Sequence, residues 1–118
     1  MATFRFEKLD VWKKAMDWCE DVYRVTADFP SEERYGLVSQ VRRAATSVAS
    51  NIAEGSGRLS DADSNRFIAV AYGSLMEAIC QLKLAMRFGY LPQGALGRLE
   101  DNAEELAKML SGLKASRE

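Results

Sequence analysis

The sequence predicts an all-α protein, folded as an antiparallel up-down-up-down four-helix bundle. Three observations carry that prediction. Apolar residues return at steps of three and four in four successive stretches, the period of an amphipathic helix. Short breaks rich in Gly, Pro and Ser separate the stretches, so neighbouring helices must run antiparallel. Only two prolines occur in 118 residues, and β-branched residues are sparse beside Ala, Leu, Glu, Lys and Arg, a balance that favours helices.

The first helix is expected over roughly residues 8–28. Leu9, Trp12, Met16, Cys19, Tyr23 and Thr26 form its stripe, widened by Ala15, Val22 and Phe29. Trp12 is expected in the core and Trp18, six positions on, at a second subunit. Phe29-Pro30 ends the helix, because the residue before proline is pushed out of the helical region. Ser31 then offers an N-cap oxygen, and Glu32 and Glu33 favour the positive end of a helix dipole, so the second helix is expected over 32–55. Pro30 and Tyr35 could form its hydrophobic staple.

Val38, Val41, Ala45, Val48 and Ile52 form the second stripe, which stops at Gly55-Ser56-Gly57, where a glycine can take the left-handed cap conformation. Ser60 and Asp63 resemble a capping box opening the third helix, 61–88. Its stripe is Phe67, Ile68, Ala71, Leu75, Ala78, Ile79, Leu82 and Ala85, and Gly89 is its expected cap. Gly73, in mid-helix, is read as a point of close helix packing. The fourth helix, 93–113, uses Leu96, Leu99, Ala103, Leu106, Met109, Leu110 and Leu113. Residues 114–118 are expected to fray. With no repeat, linker or low-complexity tract, residues 1–118 read as one domain around one core.

Composition narrows the function. A formal charge of −1 is unlike that of a generic nucleic-acid sponge, although sixteen Lys and Arg leave room for a local basic face. The chain has no histidine, which removes the usual general base and the commonest metal ligand. Two cysteines, Cys19 and Cys80, cannot make a zinc site alone. On apolar helical faces they read as buried thiols of a reducing compartment. No signal-peptide run and no stretch of about twenty unbroken apolar residues is present. The expectation is a cytoplasmic protein with no cofactor, no metal and no membrane partner.

The most informative stretch is SQVRRAATSVASNIAEGSGR, residues 39–58. At about 100° per residue, Gly36, Gln40, Ser47, Asn51 and Glu54 fall in one arc beside the apolar stripe, with Arg43 at its edge. Three readings compete for this flank. The first is a hydrogen-bonded polar seam, mainly structural, inside the bundle or between subunits, in which Gln40, Ser47, Asn51 and Glu54 find partners, with Ser74, Glu77 and Gln81 of the third helix as candidates. An Arg43–Glu77 pair would belong to it. The second makes Arg42, Arg43, Arg58 and Arg66 a phosphate-facing patch, since the guanidinium fork suits phosphate. The third is catalytic, with Ser47 as nucleophile and Glu54 or Glu77 as base, but no recognisable spacing supplies the adjacent base or oxyanion site.

FEKLDVWKKAMD, FPSEERYGLVSQVRRAATSVASNIAEGSGR, FIAVAYGSLMEAICQL and GYL stand in an order that resembles the four-helix-bundle proteins associated with intervening sequences of bacterial 23S ribosomal RNA genes. The resemblance runs from about Phe6 to Leu110 and is most specific from Gln40 to Arg58. It implies an antiparallel bundle, assembly as a ring-like homopentamer, and kinship with the accessory proteins of diversity-generating retroelements. It brings no catalytic residues and suggests RNA or a nucleoprotein as partner. The function expected is thus a non-enzymatic homo-oligomer that binds RNA or a nucleoprotein, with Arg42, Arg43, Arg58 and Arg66 as contacts. The alternative is a protein-interaction scaffold that touches no nucleic acid.

Overall fold

The computed structural model describes residues 2–117. Four helices follow in order: α1 (Asp10–Thr26), α2 (Leu37–Ser56), α3 (Asp61–Arg87) and α4 (Gln93–Ala115). There is no strand among the described residues. Each helix packs on the next, and α4 closes back on α1, which puts α1 diagonal to α3 and α2 diagonal to α4. This is the all-α up-down-up-down arrangement that the spacing predicts.

The core lies along the shared axis. Val41, Val48 and Ile52 of α2 meet Ile68, Leu75 and Leu82 of α3, and Leu99, Leu106 and Leu110 of α4 complete it. The α2–α3 contact is the most extensive in the bundle. Small residues permit it, since Ala44, Ala45 and Ala49 on α2 and Ala71 and Ala78 on α3 are all buried. The expected stripes of α2 and α4 hold, as does that of α3 in outline.

The α1 stripe is turned from its expected position. The buried line is Val11, Ala15, Trp18, Val22 and Thr26, whereas Met16 and Tyr23 are exposed. Two neighbouring apolar lines on one helix obey the same period, and the sequence alone does not rank them. Packing against α4 as well as α2 selects the second. Trp18, expected at a second subunit, is buried, and its Nε1–H donates to the Leu99 carbonyl of α4 at 3.0 Å. Trp12 is only partly buried and meets Phe6 edge-on at 5.0 Å, beneath a 3-10 turn at Arg5–Lys8.

The α2 start also differs. Ser31–Glu33 form a separate 3-10 turn, and α2 opens at Leu37 with Gly36 before it. Tyr35 is exposed, so the staple does not form. Glu33, rather than Ser31, serves the helix end: the Leu37 N–H donates to its Oε1 at 3.2 Å. The Tyr90 hydroxyl donates to the other oxygen of the same carboxylate at 3.0 Å. A carboxylate here also sits at the positive end of the α2 dipole.

That bond holds the Tyr90 phenol above its usual pKa, with burial and the neighbouring carboxylates adding to the rise. A folded-state pKa above the unfolded one means a stabilisation present in full below the unfolded phenol's pKa. It is lost as pH rises through the folded value. Tyr90→Phe is expected to remove this alkaline component, seen as a flatter fall of unfolding free energy above the unfolded phenol's pKa than in the wild type.

Helix ends supply the remaining differences. Ser60 caps α3 by accepting the Asp63 N–H at 3.1 Å. Gly89 follows α3 at φ 81°, and the Tyr90 N–H returns to the Ala85 carbonyl at 2.9 Å in a Schellman closure. Neither glycine of Gly55-Ser56-Gly57 takes the left-handed cap conformation expected there, and the helix ends on Gly57 in right-handed backbone. The α4 helix continues through Lys114 and Ala115, where fraying is expected from sequence, because Asn65 Nδ2 donates to the Lys114 carbonyl at 3.2 Å. The Arg117 guanidinium donates to Ser64 Oγ at 2.6 Å. Glu118, the last of the residues expected to fray, lies outside the described residues.

Candidate functional site

The polar flank of α2 faces α3 along a narrow seam. Ser47 Oγ and Ser74 Oγ share a hydrogen bond of 2.8 Å across the two helices. Asn51 Nδ2 donates to both the carbonyl and the hydroxyl of Ser47, at 2.8 and 3.0 Å. Two turns toward the other end of the bundle, Gln81 Nε2 donates to Gln40 Oε1 at 3.4 Å and to Glu77 Oε1 at 3.3 Å. Helical spacing makes this possible: residues four apart stack on one face, so each helix brings a column of short polar side chains to the contact. Glu54 stays exposed at the end of the column and makes no contact with Ser47.

Neither Glu54 nor Glu77 reaches the Ser47 hydroxyl, which is held by Ser74 and Asn51. A hydroxyl bonded to another hydroxyl and an amide has no base to take its proton. The geometry is that of a seam between packed helices. No ion pair joins Arg43 to Glu77 among the described residues, although both line the same small crevice with Gln40 and Ser47.

The four arginines are not equivalent, and they do not form one patch. Arg42 turns toward the C-terminus of α1, where its Nε donates to Thr26 Oγ1 at 2.8 Å and its Nη2 to the Tyr23 carbonyl at 3.2 Å. Its guanidinium also lies 4.5 Å from the centre of the Tyr23 ring. The last carbonyls of a helix lack intrahelical partners, so this side chain acts as a tether between α1 and α2. Arg58 and Arg66 meet at the far end of the bundle. The Asp63 carboxylate accepts from Arg66 at 2.7 and 3.2 Å and pairs with Arg58 at 3.8 Å. Both guanidiniums rest on Phe67, 4.2 and 5.1 Å from its ring centre. Arg43 alone of the four is exposed without a carboxylate partner; its single bond is a 3.4 Å contact to Ser39 Oγ.

The surface carries two apolar grooves that sequence reasoning missed. One, of about 640 Å³, runs between α3 and α4 past Met76, Cys80, Leu84, Leu96 and Gly97. The other, of about 690 Å³, runs between α1 and α2 past Met16, Cys19, Tyr23 and Ala49. Cys80 is exposed, contrary to the buried thiol expected, and Cys19 is partly buried. Burial first, and the nearby Glu20 second, raise the pKa of the Cys19 thiol. The signal for the α3 groove was present: α3 bears apolar residues on its outer side as well as in its buried stripe, including exposed Val70, Tyr72, Met76 and Leu84. It is long and apolar enough by length and composition to cross a membrane, yet only 33% of that stretch is buried in the bundle.

Among known proteins, the 23S rRNA-intervening sequence protein family matches residues 7–112. The fold also matches the crystal structure of a protein of unknown function from the S23 ribosomal protein family of Bacteroides thetaiotaomicron VPI-5482. The two are 20% identical, with a TM-score of 0.79 over 88% of this chain and 97% of that one. No curated protein matches the chain.

Proposed function

Because the chain belongs to the 23S rRNA-intervening sequence protein family, we propose that it works without catalysis, as a bundle that assembles with copies of itself and presents a docking surface. The observation that carries this reading is the outer face of α3. An amphipathic helix normally turns polar residues to solvent, and here the apolar side chains of Tyr72, Met76, Cys80 and Leu84 remain in solvent. A second copy would cover them. The family resemblance adds the ring of five as the expected form, and the likeness to retroelement accessory proteins belongs to the same reading. The experiment is sedimentation velocity of the wild-type chain over a wide concentration range. An oligomer that persists on dilution supports the reading, and a monomer throughout overturns it.

RNA or a nucleoprotein is the partner favoured for the assembled form, and Arg43 is the observation behind it. It is the exposed arginine on the most recognisable segment that makes no direct ion pair with a carboxylate, although Glu77 lines the same crevice. Arg42 has its donors occupied within the chain. The two substitutions should therefore separate. Arg43→Ala is expected to weaken binding of a labelled structured RNA and reduce its salt dependence by about one unit in the log–log slope, with little change in unfolding. Arg42→Ala is expected to cost about 1–2 kcal/mol in urea unfolding, through its lost charged hydrogen bonds, with little direct effect on RNA affinity. Absence of saturable binding at low salt would leave the protein-interaction scaffold as the surviving reading.

A further inference from the structure

We propose that the polar crevice between α2 and α3 takes one unpaired guanine from a single strand or loop of RNA, held between Glu77 and Arg43. This deepens the RNA reading and rests on it. The crevice is lined by Gln40, Arg43, Ala44 and Ser47 of α2 and by Ser74 and Glu77 of α3. Its volume is about 170 Å³, well below the roughly 300–1,000 Å³ of a site for a drug-sized molecule. A single flat ring entering by its edge is the size of occupant it admits. Gln40, Arg43 and Glu77 are exposed, so the mouth is open to solvent. The half-buried Ser47 and Ser74 lie deeper, tied together by their shared 2.8 Å bond.

Charge and hydrogen-bonding capacity choose the occupant. A guanidinium and a carboxylate face the same crevice, yet no ion pair joins them among the described residues. Arg43 makes only the 3.4 Å contact to Ser39 Oγ, which leaves most of its donor fork for a ligand. Glu77 accepts through Oε1 from Gln81 Nε2 at 3.3 Å, and a carboxylate has acceptor sites beyond that one. An occupant that answers both groups must offer acceptors on one edge and donors on the next. Guanine does so in pairs: O6 and N7 suit the arginine fork, and N1–H with the 2-amino group suits a carboxylate. Adenine and cytosine offer the carboxylate an amino group without an adjacent ring N–H, and uracil a ring N–H alone. The carboxylate takes the pairing edge of guanine, so the base must be unpaired, as bases are in RNA loops and single strands. A bare phosphate would satisfy Arg43 and be repelled by Glu77.

The crevice is braced from behind. Gln81 is 9% exposed, and its Nε2 donates to both Glu77 Oε1 and Gln40 Oε1, at 3.3 and 3.4 Å. A buried amide that spends its donors on two crevice side chains holds them in place before a ligand arrives. Gln81 is thus a positioning residue. Its own Oε1 is buried with no partner among the described residues, and buried polar atoms left so are uncommon in folded proteins. The seam carries that cost at the point where it supports the crevice. Gly73, expected from sequence to mark close packing, packs on nothing within the chain, since a Cβ there would meet nothing within 4 Å. It stands one turn from Glu77 on the same side of α3, so no side chain at that position blocks the approach to the carboxylate.

The test is fluorescence anisotropy of the full chain with labelled oligouridines that differ only at one central base, at low salt. The oligomer carrying guanine is expected to bind about tenfold more tightly than those with adenine, cytosine or uracil, the scale of one good base contact. Inosine, which lacks the 2-amino group, and 7-deazaguanine, which lacks N7, are each expected to lose part of that advantage. Glu77→Gln keeps the size of the side chain and is expected to abolish the guanine preference. The all-uridine oligomer should bind this variant as well as the wild type or better, since a negative charge is removed. Arg43→Ala is expected to weaken every oligomer, the guanine one most. If guanine binds no more tightly than uracil, or its preference survives Glu77→Gln, the inference falls while the RNA reading stands. The inosine comparison needs no variant, and equal binding of inosine and guanine overturns the carboxylate contact. No saturable binding of any oligomer or of a structured RNA overturns both readings.

Discussion

Trp18→Ala is expected to lower the unfolding free energy by about 3–5 kcal/mol, the range for truncating a buried aromatic, as measured by urea denaturation. The indole is 3% exposed, so truncation removes a large apolar surface from the core and leaves a cavity. Its Nε1–H also reaches the Leu99 carbonyl at 3.0 Å, tying α1 to α4 across their contact. The Asp21–Arg98 pair, with bonds of 3.0 and 3.2 Å, crosses the same two helices but sits at the surface, where ion pairs contribute about 0–1 kcal/mol. It cannot compensate. Against a total stability of about 5–15 kcal/mol for a domain, the loss is a large fraction of what holds the bundle together. Trp18→Phe separates the two contributions. It keeps most of the ring's bulk, removes the donor, and is expected to cost about 1–2 kcal/mol. Trp12→Ala, at a partly buried position on the other apolar line, should cost less than Trp18→Ala.

That contrast marks how far the sequence could be read. Periodicity identifies four helices because an amphipathic helix must bury one face, and the buried residues of α2 and α4 follow from it directly. It does not rank two adjacent apolar lines on α1, because both repeat with the same period. The choice depends on where α4 lies, and that is a tertiary fact. The start of α2 was hidden for a similar reason. Ser31 is a good N-cap in isolation, but Glu33 serves both the Leu37 N–H and the Tyr90 hydroxyl, a partner 57 positions away in the chain.

The seam shows the same division. That Ser47 and Asn51 share a face of α2, and Ser74, Glu77 and Gln81 one of α3, was legible from spacing, whereas their hydrogen bonds depend on the register between the two helices, which spacing does not give. The arginines were legible as charges and not as partners. Nothing in local sequence says that Arg42 reaches back to Thr26, sixteen residues earlier. By contrast, the Arg66–Asp63 pair three residues apart is local and could have been anticipated from helical geometry.

Gly55→Val is the complementary prediction, because it adds volume where Trp18→Ala removes it. The sequence suggests a cap at this glycine, but its structural role is close approach. A Cβ at residue 55 would lie 3.1 Å from the Ser64 carbonyl oxygen and 3.2 Å from Phe67 Cβ. The first of these is backbone in the opening turns of α3, so it cannot yield by changing rotamer. It can move only if α3 shifts on α2, and that contact is the most extensive in the bundle. Valine adds two methyl groups beyond the Cβ and is expected to destabilise by about 1–3 kcal/mol through overpacking. Gly55→Ala presents the Cβ alone, and its gain in helix propensity of about 1 kcal/mol opposes the strain. The net change should be small. Gly73→Ala is the control: with nothing within 4 Å of the new methyl, it is expected to stabilise the isolated chain by about 0.5–1 kcal/mol. Thermal and urea unfolding of the three variants should rank Gly73→Ala above Gly55→Ala above Gly55→Val. If Gly55→Val matched the wild type, α2 and α3 would have to separate at this end without loss, and the close approach would not be the reason for the glycine.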